Sequence, residues 1–184
     1  MGRRRGDEDG DGGGRERPGA PGPEIWVRGP VDLPEDPDPV ALPRAEPRRY
    51  SWVGTHGGAG VSTLATVYGG HDCGRDWPAP DAPRSVLLVA RTHASGLASL
   101  LRTLEMFRRG QVPAGLDLDG VALVADGQGR LPRPLERQAR LIEATVDAYR
   151  VPWVTAWRLG DLSGTPPRET TALARLTGTP TRGR

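Results

Sequence analysis

Between Tyr50 and Tyr68 a short apolar run, Tyr50-Ser51-Trp52-Val53, leads straight into Gly54-Thr55-His56-Gly57-Gly58-Ala59-Gly60 and then into a segment of helical character, Ser62 to Tyr68, ended by Gly69-Gly70. A chain punctuated in this way has few options. The apolar run is long enough only for a strand, and the glycines allow the close-approach and left-handed backbone of a tight strand-to-helix turn. Strand, tight turn and helix open a βαβ unit, and such units build parallel sheets.

The rest of the chain keeps that rhythm. Ser85-Val86-Leu87-Leu88-Val89-Ala90 is nearly continuous in apolar character, as expected of a strand covered on both faces. Leu97, Leu100, Leu101, Leu104 and Phe107 fall at helical spacing, with Gly110 placed to stop the helix. Val121 to Ala125 reads as a third strand ending at Asp126 and Gly127-Gln128-Gly129. Pro134 suits the first turn of a helix with a stripe of Leu135, Ala139, Ile142, Val146 and Tyr149. Val151 to Trp157 reads as a fourth strand, with Pro152 at its start or at a sheet edge, and residues 167 to 176 as a last short helix. The predicted architecture is α/β in three layers, with a mainly parallel sheet of about four strands. Residues 49–178 form the domain, residues 1–48 a disordered tail rich in Pro, Gly and charge, and residues 179–184 a frayed end.

Composition excludes some functions. The formal net charge is +2, and Arg3-Arg4-Arg5 is followed closely by Asp7, Glu8, Asp9 and Asp11, so no nucleic-acid partner is indicated. A single cysteine, Cys73, permits no internal disulfide, and no apolar run approaches the ~20 residues of a membrane span. No signal-peptide segment is recognised, and a cytoplasmic location is expected. The His71-Asp72-Cys73 cluster with Asp76 matches no zinc spacing, so no metal ligand is assigned.

The glycine-rich turn carries the chemistry. Turns of this kind aim backbone N–H groups at phosphate oxygens, while a lysine reaches the β- and γ-phosphates and a Ser/Thr hydroxyl holds magnesium. Here the lysine position is Val61, and all 25 Lys+Arg residues of the chain are arginine. Losing one charge-assisted hydrogen bond forfeits ~1.5–3 kcal/mol of binding. Losing one electrostatic stabiliser of a transition state costs ~10²–10³ in rate, so hydrolysis suffers more than binding. The candidate ligand-binding residues are His56, Gly57, Gly58, Gly60, Val61, Ser62 and Thr63, with Arg91 and Asp126 at the ends of the following strands. Asp126 is open to two readings, a metal-holding carboxylate or the polar start of a glycine turn. The loop also has two, an ATP site with magnesium only if nucleotide binds, or a tight turn serving helix–sheet packing. His93 and Ser95 stand beyond the second strand, with Ser95 expected to cap the next helix. No residue is assigned a catalytic role.

His56-Gly57-Gly58-Ala59-Gly60-Val61-Ser62-Thr63-Leu64 resembles the deviant phosphate loop of the MinD/ParA family, usually written Lys-Gly-Gly-x-Gly-Lys-Thr-Thr. His56 takes the place of the signature lysine and Val61 that of the general phosphate lysine. The loop is most similar to those of degenerate relatives, pilus-assembly and septum-site proteins with Gly-Gly-x-Gly-Ala-Ser-Thr. The segments Trp52 to Gly60, Val89 to Thr92 and Gly129 to Leu135 also resemble an actinobacterial family whose genes lie near conjugation or type IV secretion-like genes. The resemblance implies a small phosphate-loop NTPase-like fold with the magnesium-binding and water-activating segments trimmed away. The double lysine loss and the missing catalytic parts point to a non-hydrolysing adaptor or scaffold for a protein partner, reached through the proline-rich tail or an apolar patch around Trp153 and Trp157. A nucleotide-hydrolysing enzyme supplied with an arginine, a nucleotide sensor without turnover, and a homodimer stay open.

Overall fold

The computed structural model describes residues 49–180. The expectations for residues 1–48 and for 181–184 therefore lie outside the described residues.

The elements are β1 (Tyr50–Gly54), α1 (Val61–Tyr68), β2 (His71–Asp72), β3 (Ser85–Arg91), α2 (Ala94–Arg108), β4 (Asp117–Val124), α3 (Arg133–Glu143), β5 (Ala148–Val151), α4 (Thr155–Arg158), a 3₁₀ turn (Arg168–Thr170) and α5 (Thr171–Thr177). They build a five-stranded sheet in the order β2-β1-β3-β4-β5 with every pairing parallel. The strand count is thus five and not about four. The additional strand is β2, two exposed polar residues that pair with Ser51 and Trp52.

The alternation of side chains divides the core in two. Tyr50, Trp52, Leu87, Val89 and Ala122 face α1 and α5, while Val53, Val86, Leu88, Ala90, Val121 and Leu123 face α2 and α3. Right-handed crossovers explain this division. From β1 the chain steps one way to β2 through α1, and from β3 it steps the other way through α2 and α3, so the helices fall on opposite faces. The β2–β3 connection carries no helix. It covers the second face with Cys73 and Trp77, and the Trp77 ring meets Phe107 of α2 edge-on at 5.4 Å.

Two expectations shift. Helix α3 ends at Glu143, so Val146 and Tyr149 do not belong to its stripe; Thr145 turns its hydroxyl back onto the Ile142 carbonyl, and Tyr149 sits in β5. The fourth predicted strand starts three residues early and stops at Val151, the last residue paired to β4. Pro152 has no N–H to extend the ladder, and Thr155–Arg158 coils into α4. Among the described residues no helix is long and apolar enough to cross a membrane.

Tyr68 ties the C-terminal segment to the first core. Its buried phenol donates to Thr170 Oγ1 at 2.6 Å, Thr170 donates on to the Pro167 carbonyl, and Thr179 Oγ1 donates to the Tyr68 carbonyl. Thr179, expected to fray, is therefore held. Burial pushes the Tyr68 phenol above its ordinary pKa, with the Thr170 bond pulling partly back, so it stays a donor. Tyr68→Phe keeps the ring and removes this donor. Thermal denaturation of the variant is expected to show a loss of about 1 kcal/mol and a Tm lower by a few degrees. An unchanged Tm would mean that the C-terminal segment is held by apolar packing alone.

Candidate functional site

The stepping direction reverses between β1 and β3, and in open α/β sheets such a reversal opens a crevice at the carboxyl ends of the strands. The glycine-rich turn follows β1 into that crevice, and Arg91 ends β3 beside it. The backbone ladder continues past the strands. Thr55 N–H donates to Val89 O, Thr92 N–H to Val124 O and Ala125 N–H to Val151 O, and Asp126 N–H donates to Thr92 Oγ1. The predicted residues of the loop, of β3 and of β4 therefore meet at one end of the sheet.

Gly58 and Gly60 adopt φ +71° and +107°, the left-handed conformations that let the turn close. Among the described residues the backbone N–H groups of Gly57, Gly58 and Gly60 to Thr63 find no partner within the protein; the first inward bond of α1 is Leu64 N–H to Gly60 O. Consecutive unpaired N–H groups of this kind form a concavity with partial positive charge. Val61 is buried at 7% exposure, and a Cβ on Gly54 would lie 2.9 Å from its Cγ2. The residue in the lysine position thus fills the space beneath the loop and adds to the core. Ser62 is exposed, and Thr63 is half-buried beside Gly60.

Both ring nitrogens of His56, one of the predicted ligand-binding residues, have backbone partners. Its Nε2 accepts the Arg91 backbone N–H at 3.0 Å, and its Nδ1 lies 2.9 Å from the Gly57 carbonyl. Both bonds are made together only by the neutral ring protonated at Nδ1, an assignment that follows from the partners. The imidazole is a strut between the loop and β3. His93, with its ring 5.0 Å from that of His56, accepts from Gly96 N–H and so caps α2 in place of Ser95.

Arg91 leans over the loop. Its Nε donates to Gly58 O at 2.7 Å, and its Nη1 lies 3.4 Å from Ala125 O and 3.6 Å from Asp126 Oδ1. The Arg91 side chain is 15% exposed and that of Asp126 46%. Asp126, the carboxylate open to a metal reading, is half exposed and lies within ion-pair distance of Arg91. Burial first, and then the charge of Arg158, hold the Arg91 guanidinium below its ordinary pKa, with Asp126 acting the other way.

Arg158, which sequence reading did not single out, lies in α4 with its guanidinium 4.4 Å above the Trp153 ring. Together with Gly60, Thr63, Arg91 and Trp153 it lines a cavity of about 180 Å³ at the mouth of the loop. Its only signal in the sequence is a cation shortly after the last strand. The Trp153–Trp157 region is not an open apolar patch, because Trp157 packs edge-on against Tyr68 at 6.4 Å and joins the first core while Trp153 lies beneath Arg158. Leu159 is the side chain that stands out there, 82% exposed. Among the described residues no group of three or more His, Cys, Asp or Glu could hold a metal ion.

No protein-family model, no curated protein and no solved structure matches the chain.

The position of Arg91 depends on Gly96. A Cβ there would lie 2.3 Å from Arg91 O and 2.9 Å from His56 Nε2. Helix propensity favours alanine by about 1 kcal/mol, but a clash with strand backbone costs more. Gly96→Ala is expected to destabilise the fold by about 1–3 kcal/mol in chemical denaturation. Gly57→Ala, whose Cβ meets nothing within 4 Å, is expected to stay within about 0.5 kcal/mol of the unmodified protein. Equal effects of the two would disprove the strut between the loop, β3 and α2.

Proposed function

We propose that the protein is a non-hydrolysing adaptor built on a degenerate phosphate loop of the MinD/ParA type, serving a protein partner in an actinobacterial conjugation or secretion-like system. The observation that carries this reading is the state of Arg91 and Asp126. Turnover on a phosphate loop needs a mobile cation at the phosphates, a carboxylate to hold magnesium and a group to orient water. Here the lysine position is a buried valine, the cation is anchored to Gly58 O, and the nearby carboxylate lies within ion-pair distance of that cation. The residues present do not fit a magnesium site, since Asp126 stands without other carboxylates and already has the Arg91 guanidinium as its positive counter-charge. With Trp157 in the core and Trp153 beneath Arg158, the partner contact falls to the proline-rich tail.

The test is phosphate release from ATP and GTP with magnesium. The unmodified protein is expected to release none above the buffer rate and to be indistinguishable from Ser62→Ala and Thr63→Ala. Release that falls in either variant would refute the adaptor reading, because it would place the helix hydroxyls in a working nucleotide site.

A further inference from the structure

Among the described residues Arg158 finds no acceptor. Its exposed guanidinium makes no hydrogen bond and no ion pair with any of them and stacks on the face of Trp153. Stacking on an indole fixes the plane of the group while leaving its five N–H donors free. Across the same cavity stands Arg91, whose Nη2 also has no partner among the described residues. Asp126, half exposed and 3.6 Å from Arg91, is a single carboxylate against two guanidinium groups. The unpaired N–H groups of the loop add positive character at Gly60 and Thr63. A third wall belongs to Trp153, whose buried indole N–H is without a partner.

Like charges gathered around a cavity are costly unless an anion joins them. The shape limits which anion. About 180 Å³ is some six times the ~30 Å³ share of a water molecule and lies below the ~300 Å³ at which pockets for drug-sized ligands begin. The donors approach from the loop, from the end of β3 and from α4. A planar carboxylate presents two oxygens in one plane and leaves one wall unanswered, whereas a tetrahedral phosphoryl group presents an oxygen to each.

We propose that the cavity between Arg91, Arg158, Gly60 and Thr63 is a metal-independent receptor for a phosphoryl group, with Arg158 as its principal clamp. This rests on the reading of the glycine-rich turn as a phosphate-directed loop, and it goes further by naming the group bound and the residue that replaces the lost lysine. Arg91 is held on the loop and sets the floor of the site. Arg158, free on α4, closes over the anion. The same chemistry is offered by inorganic phosphate and by the terminal group of a small phosphomonoester.

The experiment is a titration of the full chain with inorganic phosphate and with methyl phosphate, in EDTA at constant ionic strength, followed by calorimetry and tryptophan fluorescence. Saturable binding is expected, with sulfate competing and acetate not. Arg158→Gln is expected to weaken it at least about tenfold, the loss of one charge-assisted contact, while keeping the far-UV circular dichroism spectrum of the folded protein. Arg158→Lys should recover part of the affinity, because it restores the charge but not the fork. Binding of phosphate alone would identify a free-anion receptor, and binding of both probes a site open to phosphorylated molecules. No saturable binding up to millimolar anion, binding that needs magnesium, or undiminished binding by Arg158→Gln would each overturn the proposal. Phosphate release from ATP would sink the adaptor reading and leave the clamp standing, whereas failed anion binding without turnover would sink the clamp alone.

Discussion

The reversal of strand order at β1 and β3 is the constraint from which the rest of the molecule follows. With every crossover right-handed, a reversal sends α1 to one face and α2 and α3 to the other, which gives both faces of the sheet a cover. It also leaves the carboxyl ends of β1 and β3 without a crossover helix between them. Backbone polar groups at that gap need partners that regular structure does not supply. The chain provides them with side chains. His56 Nε2 takes the Arg91 N–H, Ser99 Oγ donates to the Thr55 carbonyl, and Arg91 Nε donates to the Gly58 carbonyl. The crevice is therefore cross-linked by side chains along the line from loop to strand, and such links are missing at the outer rim, where α4 carries Arg158.

That cross-linking assigns different tasks to residues that look alike in the sequence. Two arginines border the cavity, but one is bonded to the backbone on either side of it and the other rests on a tryptophan face. Two histidines lie 5.0 Å apart, and each is used as an acceptor of a backbone N–H. An imidazole nitrogen that accepts from the main chain has no lone pair left for a ligand. The polar side chains nearest the loop thus maintain its shape, and the donors left without a partner are backbone N–H groups of the loop and the guanidinium of Arg158.

Much of the architecture was legible because it is written in local pattern. The apolar runs of β1, β3 and β4, the helical spacing of α2 and the glycine turn all follow from periodicity and from the backbone freedom of Gly58 and Gly60. What escaped was set by partners far away in the chain. Strand β2 is two exposed polar residues whose only claim to be a strand is the register Ser51 to His71 and Trp52 to Asp72. The run from Val151 to Trp157 has the composition of a strand, yet its neighbour β4 ends opposite Val151, so no ladder exists to receive it. At the site, the loop with Arg91 and Asp126 could be named from strand ends. The strut role of His56 and the convergence of Arg158 could not, because each depends on which strands are adjacent.

An arginine at the end of the neighbouring strand is not equivalent to a lysine on the first turn of α1. A lysine on the first turn of α1 would reach across the loop on a flexible stem and could follow charge as it moves between phosphate oxygens. The Arg91 guanidinium is fixed at Gly58 O by a 2.7 Å bond and shares its far edge with Ala125 and Asp126. Moving to meet a developing charge would break the bond that holds the loop. Such a group favours a bound anion and the transition state to a similar degree, and uniform stabilisation lowers no barrier. With Val61 buried and Arg91 bonded into the loop, the positive charge nearest the loop belongs to its frame, which under the proposed reading suits holding a phosphoryl group better than transferring one.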